Sequence, residues 1–186
     1  ILAMRGGWGC ARILDQLDYD LIKLNPKIIM GYSDITSLLI AITDKTGLIT
    51  YHGPVGYSSW KEFSTKQVFN TLVNGLKHTM TNPSDYKKDL KTLTSGKSQG
   101  ELVGGNLTVL VSMIGTRHEP SWHNKILFIE ETGEEPYRID RMLWQLKQAN
   151  VFEEISGVVL GAFTKCEPEE PEKSFSLDEV IDQHFR

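Results

Sequence analysis

The stretch Lys27-Ile28-Ile29-Met30-Gly31-Tyr32-Ser33-Asp34-Ile35-Thr36 decides the fold. Its first four residues, three of them apolar and preceded by Pro26, read as a buried strand. Gly31-Tyr32-Ser33-Asp34 reads as a tight turn. Ile35, Leu38, Leu39 and Ile42 then recur at the spacing of one helix face. Gly47 stops that helix. Upstream, residues 1–4 read as another strand, followed by the glycine-rich turn Arg5-Gly6-Gly7-Trp8-Gly9. Ile13, Leu14 and Leu17 repeat at helical spacing. Downstream, residues 48–51 make a third strand, closed by His52-Gly53-Pro54. Strands and helices alternating through short loops predict an α/β fold with a mostly parallel sheet.

The rest of the chain continues the pattern after an interruption. Residues 61–78 read as a helix. Residues 79–99 are rich in Thr, Asn, Ser, Lys and Asp and carry Pro83 and Gly96, the composition of an interdomain linker. The apolar pattern resumes at Glu101-Leu102-Val103 and is punctuated by Gly104-Gly105-Asn106. Residues 107–114 suit a helix or a strand. Residues 125–129 and 157–161 are strands, and residues 138–148 a helix with Ile139, Met142, Leu143 and Leu146 on one face. Residues 166–174 are acidic and contain prolines, as a surface loop does. Ser176-Leu177-Asp178-Glu179 has the form of a capping box opening a last helix. The expected organisation is an N-terminal domain over residues 1–78, a linker over 79–99 and a C-terminal domain over 100–186.

Composition removes several functional classes. Of 186 residues, 40 % are apolar and 24 % charged, a globular balance, and the net charge of -4 offers no phosphate-binding surface. Lys87, Lys88, Lys91 and Lys97 come nearest to a basic stripe, but Asp85, Asp89 and Glu101 break it, so no nucleic acid partner is expected. No apolar run approaches the roughly 20 residues that cross a bilayer. Cys10 and Cys166 are the only cysteines, too few for a disulfide framework, and fit a reducing compartment. Zinc-hydrolase spacing of the H-E-x-x-H kind is absent, and no metal or cofactor is expected. The opening Ile1-Leu2-Ala3-Met4 has the character of a strand inside a fold.

Four segments could carry chemistry. A strand, a sharp turn, a serine and a helix form a nucleophile elbow, which places Ser33 at the carboxyl end of a strand. Ile35 stands where the usual pattern has glycine, and a serine that merely caps the helix is the competing reading. The turn at residues 5–9 also links a strand to a helix, so its amides could hold an anion or an oxyanion. It lacks the Lys-Ser/Thr of a phosphate loop. Glu130 and Glu131 end the strand over 125–129, where an acid could orient a histidine. Spacing does not choose between them. His52 is the best placed of the five histidines, at a strand end, although a buried or capping role is the reading to prefer for it.

Taken in order, the segments resemble the LD-carboxypeptidase family, the muramoyltetrapeptide carboxypeptidases and microcin-immunity serine peptidases. The matching pieces are Arg5-Gly6-Gly7-Trp8-Gly9, Asn25-Pro26-Lys27, Gly31-Tyr32-Ser33-Asp34-Ile35-Thr36 and Tyr51-His52-Gly53-Pro54. They continue with Gly104-Gly105-Asn106-Leu107, Leu127-Phe128-Ile129-Glu130-Glu131 and Pro136-Tyr137-Arg138-Ile139-Asp140-Arg141. The resemblance implies a flavodoxin-like N-terminal domain, a C-terminal swivelling β/α domain and a Ser–His–Glu triad between them. Ser33 matches the nucleophile and Glu130 the triad acid, with the amides of Gly7 and Asp34 as oxyanion hole. It further implies a small peptide substrate, the murein tetrapeptide with its terminal D-alanine, and a cytoplasmic homodimer engaged in peptidoglycan recycling.

Relative to the family pattern the sequence reads as a piece short at both ends. The family's catalytic histidine falls beyond the segment equivalent to Arg186, and His184 belongs to the helix before it. The 186 residues alone are therefore expected to be nearly inactive, because serine without a base is a weak nucleophile. Two alternatives share the architecture: a microcin-type peptide–nucleotide amidase, and a non-catalytic module gripping an anion or peptide with residues 5–9.

Overall fold

A computed structural model describes residues 1–77, 79, 81–82 and 90–186. Residues 80 and 83–89 of the expected linker, and His78 at the end of the expected helix over 61–78, lie outside the described residues. Among those described, the strands are β1 (Met30–Gly31), β2 (Tyr51–His52), β3 (Glu101–Asn106), β4 (Lys125–Thr132) and β5 (Gly157–Thr164). The α-helices are α1 (Tyr19–Leu24), α2 (Thr36–Thr46), α3 (Glu62–Val68), α4 (Leu107–Val111), α5 (Pro136–Gln148), α6 (Val151–Glu154) and α7 (Leu177–Phe185).

Every strand pair is parallel, as the alternation predicts. β1 lies against β2, and Leu2 adds one isolated bridge to Met30. β3, β4 and β5 form a second sheet in that order. Parallel neighbours need a crossover connection. Helix α4 lies between β3 and β4, and α5 and α6 between β4 and β5.

The N-terminal strands are shorter than their hydrophobicity predicts. The strand expected over residues 1–4 reduces to the bridge at Leu2, held by Ala3 N–H to Met30 O and Met30 N–H to Ile1 O, both 3.0 Å. The one expected over 48–51 begins only at Tyr51. Ile1 and Ile49 are 73 % and 74 % exposed, so the first of these is not the expected strand inside a fold, and the other starts beyond Ile49. A strand exists only where a neighbour completes its ladder, and apolar content does not supply one. The helical spacing of Ile13, Leu14 and Leu17 is taken up instead by a tighter 3-10 helix, Cys10–Gln16, which buries Leu14.

The second half follows its pattern more closely. β4 alternates faithfully: Leu127, Ile129 and Glu131 are buried, while Ile126, Phe128 and Glu130 are half-buried on the opposite face. Leu127 and Ile129 pack with Leu107 and Leu110 of α4 and with Ile139, Leu143 and Leu146 of α5. Full burial of each such side chain stabilises by roughly 1.5–3 kcal/mol. Leu14, Ile40 and Ala41 belong to the same cluster, so the 3-10 helix and α2 share the core of the second sheet. Asn106 ends β3 and caps α4, its side chain accepting from Val109 N–H at 3.2 Å. Ser176 and Glu179 form the capping box expected at α7.

The two sheets meet at Gly105. A Cβ there would stand 2.6 Å from Thr36 Oγ1, and its φ of +145° suits glycine alone. That approach lets Asn106 N–H donate to Thr36 Oγ1 at 3.1 Å, fixing the end of β3 on the start of α2.

Candidate active site

Ser33 sits where chain direction changes fastest. Tyr32 is extended at φ -147°, Ser33 turns to φ 64°, and a 3-10 turn, Ser33–Ile35, feeds α2. Left-handed backbone is strained for a residue with a side chain and persists where its surroundings impose it. Gly31 permits the bend, because a Cβ there would lie 2.8 Å from Ile35 Cγ2. Ser33 does not cap α2: residue Ile35 holds the N-cap position without a side-chain bond, and the Ser33 hydroxyl bonds nothing among the described residues. The competing capping reading therefore finds no support.

The glycine-rich turn lies against this serine. A Cβ on Gly6 would be 2.9 Å from Ser33 Cβ and 3.0 Å from Ser33 Oγ, so only glycine lets the turn approach. Gly7 follows with φ 141°, and its N–H donates to no group among the described residues. Asp34 locks the two segments together, its Oδ2 accepting from Cys10 N–H at 3.0 Å. Burial, then the hydrogen bond and charge of Asp34, push the Cys10 thiol up to about 12. The structure thus brings together the expected Ser33, Gly7 and Asp34.

Glu130 and His52 approach from the next strand ends. His52 closes β2, beside β1, and its Nε2 stands 3.8 Å from Glu130 Oε1. That is too long for a hydrogen bond. The His52 ring meets Phe128 at 5.2 Å and Tyr32 at 6.4 Å between centroids. Its side chain is 24 % exposed, and burial lowers its pKa to about 4, so the imidazole is neutral at pH 7. Burial, then the charge of Glu131, push the Glu130 carboxyl up to about 7. Glu130 Oε1 is buried and accepts no hydrogen bond among the described residues.

Glu131 is a different kind of residue. It is 3 % exposed, and its oxygens accept from Asn106 Nδ2, Thr108 N–H, Thr108 Oγ1 and Thr132 N–H at 2.7–2.9 Å. Every acceptor direction points into the fold. Glu130 alone faces the His52 side, which separates the two acids that spacing left undecided. The meeting of His52 with Glu130, and the Thr36–Asn106 contact behind it, went unread in the sequence. The parallel pairing of β1 with β2 is the signal that places His52 there.

Two of the other described histidines have separate partners, and His123 makes no hydrogen bond among the described residues. His118 Nε2 bonds Asp15 Oδ1 at 2.5 Å, and His184 Nε2 bonds Asp140 Oδ1 at 2.8 Å. Among the described residues no group of acids, histidines and cysteines is arranged to hold a metal, and no helix is long and apolar enough to cross a membrane.

Comparison with known proteins gives this geometry a family. Residues 1–53 match the model of the LD-carboxypeptidase N-terminal domain, and residues 99–186 that of the LD-carboxypeptidase C-terminal domain. A probable murein peptide carboxypeptidase of Bacillus subtilis is 41 % identical across 100 % of this chain and 58 % of its own length. The microcin C7 self-immunity protein MccF of Escherichia coli is 34 % identical over 87 % of this chain and 55 % of itself. The crystal structure of a muramoyltetrapeptide carboxypeptidase from Oxalobacter formigenes superposes with TM-score 0.82 at 29 % identity, covering 98 % of this chain and 61 % of that one. The chain thus spans a little over half the length of the curated relatives it matches. Two family models in sequence order, these relatives and the shared fold converge: the chain belongs to the LD-carboxypeptidase family.

Proposed function

We propose that this protein is a serine LD-carboxypeptidase. It hydrolyses the bond between an L-centre and a terminal D-alanine in murein-derived tetrapeptides. The observation that carries the reading is the strained Ser33, its hydroxyl free and its side chain close against Gly6.

In this reading Ser33 Oγ attacks the carbonyl carbon before the D-residue, and its proton passes to a histidine. The amides of Gly7 and Asp34 take the negative charge on the carbonyl oxygen. Such donors stabilise the transition state because they are already oriented when charge develops. Collapse of the tetrahedral species breaks the C–N bond, and the histidine returns the proton to the departing amine. Water then attacks the ester, releasing the shortened peptide and restoring the hydroxyl. Glu130 Oε1, buried and unpartnered, is the seat that orients the imidazole. His52 is the nearest described imidazole, and the family resemblance assigns the base to a further histidine. Residues 1–78 and 100–186 act as two domains around this site, in a cytoplasmic homodimer serving peptidoglycan recycling.

The test is release of D-alanine from murein tetrapeptide, followed by mass spectrometry on the complete gene product. Ser33→Ala is expected to remove at least about 10³-fold of the rate. Release unchanged by that substitution, or absent from the unaltered protein, overturns the assignment. The similarity to a microcin self-immunity protein favours a second substrate class, peptide–nucleotide amides, which the same Ser33 would cleave.

A further inference from the structure

A cavity of about 270 Å³ opens beside the elbow. Tyr32, the residue before Ser33, forms one wall and His52 another, with Ser59, Trp60, Lys61 and Ser64 on the far side. Ligand pockets for whole small molecules run from roughly 300 to 1,000 Å³. This one suits a single residue of a substrate.

Its chemistry is one-sided. Among the described residues Lys61 is the only charged side chain on the lining, and no acid shares it. Burial keeps His52 neutral at pH 7. Among the described residues Lys61 makes no ion pair, and the hydroxyls of Tyr32, Ser59 and Ser64 make no hydrogen bond. One cation and three unpaired hydroxyls therefore surround a small space. That set recognises a compact anion with several acceptor lone pairs.

Backbone strain points to the same place. Trp60 has φ 46°, held by its Nε1–H donating to Val55 O at 3.1 Å and by Thr65 Oγ1 donating to Trp60 O at 3.0 Å. Left-handed non-glycine residues gather at sites where function fixes the backbone. Trp60 lines this cavity, as does Tyr32, the residue before the left-handed Ser33.

We infer that this cavity is the pocket for the leaving residue, where Lys61, Ser59 and Ser64 bind the terminal carboxylate of the peptide that Ser33 cleaves. The inference rests on the carboxypeptidase reading and deepens it. A free C-terminal carboxylate is the one group that every carboxypeptidase substrate has and an internal peptide bond lacks. A cation beside the nucleophile would read that difference.

Two measurements on the complete gene product decide it. The first is an NMR titration with N-acetyl-D-alanine and with its amide. The acid is expected to bind roughly tenfold tighter, the lower range for a charge-assisted contact to an exposed lysine. Lys61→Met should erase that preference, and Lys61→Arg should keep it. The second compares kcat/KM for a tetrapeptide and its C-terminal amide, where the acid-to-amide ratio should fall from about ten to near one in Lys61→Met. A ratio unaltered by Lys61→Met, or an acid that binds no tighter than its amide, overturns the pocket. Absent turnover of either peptide sinks the carboxypeptidase reading. The titration then still judges the pocket by itself.

Discussion

Glu130 and Glu131 leave β4 one residue apart and meet opposite treatment. Glu131 turns under the sheet, where four donors from Asn106, Thr108 and Thr132 saturate its oxygens. Glu130 turns toward β2, where its Oε1 is buried with no donor and His52 stands 3.8 Å away. One side chain stitches β3, β4 and α4 together. The other stays in an unfavourable state that folding alone gives no reason to keep. Buried polar groups are normally paired, so the unpaired Oε1 supports the role proposed for Glu130.

The sharpest way to break this comparison is to exchange each acid for its amide. Glu130→Gln is expected to lower turnover by roughly 10³–10⁴-fold, the scale seen when a triad acid is neutralised, without loss of stability in urea unfolding. Glu131→Gln should instead lose about 2–4 kcal/mol of stability. Its new NH₂ faces donors, and buried groups are left unpaired. If Glu131→Gln unfolds no earlier than the parent, the structural role of that side chain is wrong.

Stability against pH separates the two faces more finely. Glu130 holds its proton more tightly folded than unfolded, rising from 4.5 to about 7. Its contribution is therefore full below pH 4.5 and declines as pH rises to about 7. His52 is lowered from 6.5 to about 4, so it favours the folded state above pH 6.5 and loses that contribution as pH falls. The two slopes oppose each other across their overlap, and the parent curve should be nearly flat between pH 4.5 and 6.5. Removing one group should expose the other: stability rises with pH in Glu130→Gln and falls with pH in His52→Asn. Each change should amount to about 1–2 kcal/mol once solvent screening is allowed for. Two parallel curves would show that neither group carries the shift assigned to it.

What the sequence discloses follows the range of the forces involved. Helix α2, helix α5 and the α7 capping box rest on contacts within a few residues, and each is legible from spacing. The elbow at Ser33 is legible for the same reason, as a strand, a turn and a helix in direct succession. The choice between Glu130 and Glu131 is not, because alternation says only that they point apart, and the partner strands say which way. His52 meets Glu130 through the pairing of β1 with β2 and the docking of β3 on α2, none of which a local pattern encodes. The short N-terminal strands miss for the opposite reason: local hydrophobicity promises pairing that only neighbours can provide. Trp60 at φ 46° belongs with these, since no tryptophan in a sequence declares left-handed backbone.

The burial of Cys10 beside Asp34 has a chemical side effect. With its thiol held near 12, Cys10 carries about one thiolate in 10⁵ molecules at neutral pH. Peroxide and electrophilic drugs react with thiolates, and sulfenic acid formation begins there. A cysteine lodged behind the nucleophile turn would ordinarily be an opening for oxidative inactivation. Burial of Cys10, together with the aspartate that fastens the turn, closes that opening, so Cys10 should resist oxidants that attack activated cysteines.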